Sequence, residues 1–213
     1  MHTILKEIGR LGLVPVIVIE DAANAIPLSK ALIEGGLPVA EVTFRTKAAK
    51  ESIEKISKEF PEMLLGAGTV LSTDQVKSAV DAGAKYIVSP GLNPKVVEYC
   101  LANEIPITPG IATPSEIERA LEFGLDVVKY FPAEPLGGLN YLKAVSAPYG
   151  DLKFIPTGGI SEANLLSYLK YSKILACGGS WMVKGDLIAA NDFAKIKAMT
   201  SAAVELVKQR DQK

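Results

Sequence analysis

At 213 residues and 22.6 kDa, the chain exceeds the usual mode of about 100–150 residues for one domain and falls within the roughly 200–250 that single α/β barrels occupy. Hydrophobic residues at 48% and charged residues at 22% supply a core and argue against disorder. With 23 basic against 24 acidic residues, a formal charge of -1, the chain lacks the cationic field that nucleic-acid and anionic-membrane binders rely on, so any anionic ligand must be held by local groups.

The single histidine, His2, lies at a chain end, where segments are usually loose, and is expected to be inert. His-based triads and His-ligated zinc drop out with it, and no metal or cofactor is implied. Short apolar runs then recur at Val14–Ile19, Val39–Phe44, Leu64–Ala67, Tyr86–Ser89, Ile105–Thr108, Val127–Phe131, Lys153–Pro156 and Lys173–Cys177. Their starts are about 19–26 residues apart, with helical spacing or caps between them, which is the beat of repeated βα units. The first apolar stretch, Leu11 to Ile19, contains Gly12 and Pro15 and is too short to span a bilayer. The charged opening Lys6, Glu7 and Arg10 argues against a signal peptide, so no membrane partner is expected.

Helix boundaries are legible along the way. Ser72-Thr73-Asp74, Asn93-Pro94 and Asn191-Asp192 carry cap residues, and Thr113-Pro114-Ser115-Glu116 has the spacing of a capping box. Gly35-Gly36, Gly83 and Gly124 stand where helices commonly end. Cys100 and Cys177 lack the spacing of a metal site and are too sparse for a disulfide framework; a reducing cytosol suits them, and Cys177 reads as a buried structural thiol.

Alternating strands and helices leave two architectures, a closed (β/α)8 barrel or an open doubly wound sheet. A count of eight favours the barrel in a single domain over residues 1–213. In an open sheet laid in sequence order, residues on the second and sixth strands would lie about 19 Å apart, four spacings of roughly 4.8 Å. In a barrel these strands face each other across the interior.

Those two strands carry charges that a strand covered on both sides should not have. In Glu41-Val42-Thr43-Phe44-Arg45 the period of two puts Glu41, Thr43 and Arg45 on the inward face, with Arg45 nearest the C-terminal rim. A structural Glu41–Arg45 salt bridge would also suit this pattern. Lys129, in Val127-Val128-Lys129-Tyr130-Phe131, sits among apolar and aromatic neighbours; such surroundings favour a neutral, nucleophilic amine of the kind a Schiff-base enzyme uses. A lysine at a strand end that reaches solvent is the plainer alternative. Converging on one pocket, Lys129, Glu41 and Arg45 suit an imine-forming site for a keto acid, with Arg45 on its carboxylate and Glu41 moving protons.

Glycine-rich turns are expected after the last two strands, Thr157-Gly158-Gly159 and Gly178-Gly179-Ser180. In a barrel this is where phosphate binds, because glycine lets backbone N–H groups approach an anion; plain tight turns would look the same. Gly66-Ala67-Gly68-Thr69 brings a hydroxyl to the same rim, and Pro90 belongs to a rigid rim loop bordering the pocket.

Taken together, Glu41-Val-Thr-Phe-Arg45, Gly66-Ala-Gly-Thr69-Val, Ser89-Pro-Gly-Leu92, Lys129-Tyr-Phe-Pro-Ala-Glu134, Pro156-Thr-Gly-Gly-Ile160 and Gly178-Gly-Ser-Trp181 resemble the bacterial 2-keto-3-deoxy-6-phosphogluconate aldolases, also called 4-hydroxy-2-oxoglutarate aldolases. The resemblance covers nearly the whole chain. It implies a (β/α)8 barrel, no cofactor or metal, a homotrimer, and a phosphorylated keto acid as the small-molecule partner. By resemblance Lys129 matches the imine-forming lysine, Glu41 the general acid/base, and Arg45 with Thr69 the groups on the pyruvate carboxylate. Phe131 matches an aromatic pocket wall, Thr157 a residue linked to stereochemical preference, and Gly158, Gly159 and Ser180 the phosphate site. Tyr130 stands where many relatives have Phe; strand alternation turns it away from Lys129. Alternatives are a 6-phosphogalactonate aldolase, a phosphosugar isomerase or epimerase, and a non-catalytic phosphosugar-binding barrel.

Overall fold

Short buried strands alternate with helices along the chain, as the period suggests. The computed structural model describes residues 1–211. Its strands are β1 (Leu13–Ile17), β2 (Val39–Thr43), β3 (Leu64–Gly68), β4 (Tyr86–Ser89), β5 (Ile107–Ile111), β6 (Val127–Tyr130), β7 (Lys153–Pro156) and β8 (Cys177–Gly179). The helices are α1 (Thr3–Leu11), α2 (Ala25–Glu34), α3 (Ala49–Glu59), α4 (Thr73–Asp81), α5 (Pro94–Ala102), α6 (Pro114–Glu122), α7 (Gly138–Ser146), α8 (Leu165–Leu169), α9 (Gly185–Ala189) and α10 (Phe193–Lys208).

All strand pairs are parallel, in the order β7-β6-β5-β4-β3-β2-β1-β8. Two bridges, Phe154 to Ile174 and Thr157 to Gly178, close β7 onto the β8 segment and complete a (β/α)8 barrel. Register follows from this closure: Glu41 pairs with Gly66 across β2 and β3, and Gly110 with Lys129 across β5 and β6.

Local chemistry sets the helix ends. The Thr113 hydroxyl accepts from the Glu116 N–H and the Glu116 carboxylate accepts from the Thr113 N–H, so the capping box forms. Ser72, Asn93 and Asp192 cap α4, α5 and α10 in the same sense. His2 is not a loose end: its Nδ1 accepts from the Ile4 N–H at 3.1 Å and caps α1. Helix α1 has no counterpart in the sequence reading. It buries Leu5 and Ile8, and Ile8 reaches the barrel interior beside Val14, Tyr86 and Ile155.

Three strand assignments are corrected. The last strand is Cys177–Gly179 instead of Lys173–Cys177, because residues 173–175 touch β7 only at Phe154 while Leu13 to Pro15 of β1 pair with Cys177 to Gly179. Gly178 and Gly179 therefore belong to β8 and are not a turn after it. The fifth strand runs through Pro109 to Ile111; Pro109 removes one donor, but Gly110 and Ile111 continue the ladder to Lys129 and Tyr130. The first strand ends at Ile17, two residues early.

Tyr130 points outward under α7, its ring stacked on Tyr141 at 6.2 Å between centroids, as alternation requires. Cys100 and Cys177 are free and buried. Burial pushes the Cys100 thiol up to about 12 and raises that of Cys177 as well, so neither yields thiolate near neutral pH. At pH 8, Ellman's reagent should leave the native protein unlabelled and modify both thiols in denaturant; prompt labelling of native protein would contradict this burial.

Candidate active site

Inside the barrel, strand alternation aims Glu41 of β2 and Lys129 of β6 at each other. Lys129 Nζ donates to Glu41 Oε1 at 3.3 Å, with side-chain exposures of 6% and 5%. Both plainer alternatives are thereby excluded: Lys129 does not reach solvent, and Glu41 pairs with Lys129 instead of Arg45. The Lys129 ammonium also lies over the Phe131 ring, 5.0 Å from its centroid.

Space for this pair is built by what β3 lacks. A Cβ on Gly68 would overlap Glu41 Oε1 and lie 2.7 Å from its carboxyl carbon. Across β4, the Tyr86 ring fills the interior over Gly66 and its hydroxyl donates to the Ala40 carbonyl at 3.0 Å. Burial first, and then the Glu41 carboxylate, push the Tyr86 hydroxyl well above the phenol range, so it remains a donor. Thr43 donates to the Ile17 carbonyl at 2.9 Å, tying β2 to β1 below the rim.

Above the pair, β2 has ended, and Arg45 stands on the rim with its Nε donating to Thr69 Oγ1 at 3.2 Å. Thr69 has φ 55°, a left-handed conformation that a β-branched residue adopts only under constraint. Arg45, Phe131, Thr157, Gly158, Gly159, Gly178, Gly179 and Ser180 share the wall of a cavity of about 290 Å³. Glu41, Lys129 and Thr157 meet at a void of about 10 Å³, so Thr157 links the buried pair to the mouth. Its buried Oγ1 has no hydrogen-bond partner among the described residues and packs where a side chain on Gly178 would stand. Thr69 joins the wall only through Arg45. Pro90 stands apart from it, with its carbonyl against Gly110.

Gly158 and Gly159 have φ of 100° and 82°, which turns the chain sharply after β7. Among the described residues the N–H groups of Gly159 and Ser180 meet no acceptor, as an anion site requires. The loop is held from behind. Asn164 accepts from the Ser161 N–H at 2.8 Å and donates to the Gly159 carbonyl at 3.0 Å. Ala133 and Glu134 donate backbone N–H groups to the Thr157 and Gly158 carbonyls at 2.8 and 2.9 Å. The Tyr168 hydroxyl donates to the Glu134 carboxylate, and burial followed by that hydrogen bond pushes this hydroxyl far up. Sequence reasoning missed Asn164 and Tyr168. Asn164 left a signal, since Ser161-Glu-Ala-Asn164 has turn-capping spacing; Tyr168 left none.

A family model described as KDPG and KHG aldolase matches residues 4–199. The chain belongs to this family. The 2-dehydro-3-deoxy-phosphogluconate aldolase of Treponema pallidum is 49% identical over 207 residues, 97% of this chain and 99% of the relative. The KHG/KDPG aldolase of Escherichia coli is 43% identical over 192 residues, 90% of each chain. Among solved structures, a KDPG aldolase from Legionella pneumophila with pyruvate captured as a covalent carbinolamine is 37% identical with a TM-score of 0.90, covering 93% of this chain and 97% of that one.

Because this aldolase seats Glu41 against a bare Gly68, Gly68→Ala should displace the carboxylate from Lys129. Turnover is expected to fall roughly hundredfold, as a misplacement of about 1 Å can cause, with the circular dichroism spectrum retained. Full turnover would show that the carboxylate position is not what Gly68 protects.

Proposed function

We propose that this class I aldolase, acting as one domain over residues 1–213, cleaves 2-keto-3-deoxy-6-phosphogluconate to pyruvate and glyceraldehyde 3-phosphate. It also cleaves 4-hydroxy-2-oxoglutarate to pyruvate and glyoxylate. The observation that carries this reading is the buried Lys129–Glu41 pair at 3.3 Å beneath a rim cavity bearing Arg45 and a glycine-rich anion loop. A solvated structural ion pair would have no use for that placement.

In the reaction, Lys129 gives its proton to Glu41 and its amine attacks the C2 ketone, forming a carbinolamine. Glu41 returns that proton to the departing hydroxyl, and loss of water leaves an iminium ion that serves as the electron sink. Glu41, now a carboxylate again, takes the C4 hydroxyl proton directly or through a water while the C3–C4 bond breaks. The bonding pair moves into the iminium to give the enamine, and the aldehyde product leaves. Protonation of C3 through Glu41 and hydrolysis of the imine release pyruvate and restore Lys129. The covalent carbinolamine of pyruvate in the Legionella relative supports the same first step here.

Arg45, held by Thr69, receives the C1 carboxylate. Phe131 walls the pyruvyl part, and the free Thr157 hydroxyl meets the C4 hydroxyl. Gly158, Gly159, Gly178, Gly179 and Ser180 surround the phosphate. The working unit is a homotrimer in a reducing cytosol; exposed Leu71, Leu101 and Leu121 offer apolar surface for the first inference, and two free thiols support the second. Among the described residues no helix is long and apolar enough to cross a membrane.

A lactate dehydrogenase-coupled assay tests the reading. Wild-type protein should release pyruvate from both substrates, Lys129→Met should release none, and Glu41→Gln should turn over about 10²–10⁴-fold more slowly. Substantial turnover by Lys129→Met would overturn the imine mechanism, and unchanged turnover by Glu41→Gln would overturn the proton-transfer role. Light scattering should give about three times the 22.6 kDa chain mass; a monomer would overturn the trimer.

A further inference from the structure

A phosphate monoester carries about -1.5 to -2 charge at neutral pH, yet the groups proposed to receive it are glycine backbones and a serine hydroxyl. The cations already placed are committed elsewhere: Arg45 is bonded to Thr69 toward the carboxylate end, and Lys129 is paired with Glu41. Beyond Gly159 and Ser180, however, the rim opens into an adjoining groove of about 550 Å³. It shares Val16, Val18, Gly159, Ile160 and Ser180 with the catalytic cavity, so the two are continuous past the anion loop. Lys184 is the charged side chain on the wall of this groove.

Its backbone is pinned on both sides. The Val183 N–H donates to the Ser180 carbonyl at 3.1 Å, and the Ile188 N–H donates to the Lys184 carbonyl at 3.1 Å. Its side chain is exposed and has no hydrogen-bond or ion-pair partner among the described residues. The carboxylate nearest in sequence, Asp186, turns Oδ1 to the Leu187 N–H at 3.0 Å and does not pair with it. A fixed α-carbon carrying a flexible, unpaired ammonium beside an uncharged anion loop is suited to act as a point charge on a phosphate.

We infer that Lys184 binds the substrate phosphate from the outer side of Ser180 and sets the preference for phosphorylated over unphosphorylated keto acids. This rests on the aldolase reading above and adds a specificity residue to it. 4-Hydroxy-2-oxoglutarate ends in a carboxylate at C5 and stops short of a phosphate carried on C6, so Lys184 distinguishes the two substrates.

Steady-state kinetics of wild type, Lys184→Met and Lys184→Arg with both substrates tests this. Lys184→Met should raise KM for 2-keto-3-deoxy-6-phosphogluconate about tenfold, the scale of losing one charge-assisted contact, with kcat little changed. The same variant should leave kcat/KM for 4-hydroxy-2-oxoglutarate within about twofold, since that substrate lacks the contact. Lys184→Arg should keep most of the wild-type KM, and added salt should raise KM more in wild type than in Lys184→Met. An unchanged KM for the phosphorylated substrate, or an equal loss on both substrates, would overturn the inference while wild-type cleavage left the aldolase reading standing. Failure of wild type to cleave either substrate would overturn that reading itself and this inference with it.

Discussion

A lysine and a carboxylate 3.3 Å apart in the buried centre of a barrel are the constraint around which the molecule is organised. Removing both charges from water costs several kcal/mol per ion, and leaving either one unpaired costs about 3–5 kcal/mol. Such a pair does not persist for stability alone, because well-packed apolar residues of similar volume would do as well or better. Its surroundings are arranged to hold it: Gly68 vacates space for the carboxylate, the Tyr86 ring fills the floor, and Ile8 of α1 covers the interior from below. The one direction left open is upward, past Thr157 to the rim cavity.

The rim depends on a second constraint of a different kind. The turn made of Gly158 and Gly159 has little side-chain packing of its own, so its shape is imposed from outside. Asn164 holds it from the helix that follows, and Ala133 with Glu134 hold it from the segment that follows Lys129. The Tyr168 hydroxyl closes this arrangement on Glu134. The segment that follows β6, the strand carrying Lys129, and the glycine turn after β7 are thus joined by direct hydrogen bonds. In the proposed reaction this coupling would hold the far end of the substrate while C2 stays on Lys129.

Much of this was legible in the linear chain for physical reasons. Period-two alternation is rigid, so Glu41 inward, Lys129 inward and Tyr130 outward followed directly from strand placement. Charged residues inside otherwise apolar strands are conspicuous because burial makes them costly. The capping box at Thr113 was readable because it is satisfied within four residues. What escaped depends on tertiary contacts. Strand β8 is short and glycine-rich, and it exists only because β1 lies beside it, so propensity favoured the preceding Lys173–Cys177 run. Helix α1 is capped by a histidine, an unusual cap, and Tyr168 reaches Glu134 across 34 residues of sequence. The loop position of Pro90 suggests a pocket residue, whereas its contact is with the backbone of β5.

Everything above requires that Lys129 form a covalent imine with a keto acid inside the barrel. Incubation with pyruvate and sodium borohydride, followed by intact mass and peptide mapping, tests it most directly. One stable reduced pyruvate adduct per chain, carried on Lys129, is expected. Folded protein that acquires no adduct, or acquires it on another lysine, would contradict it.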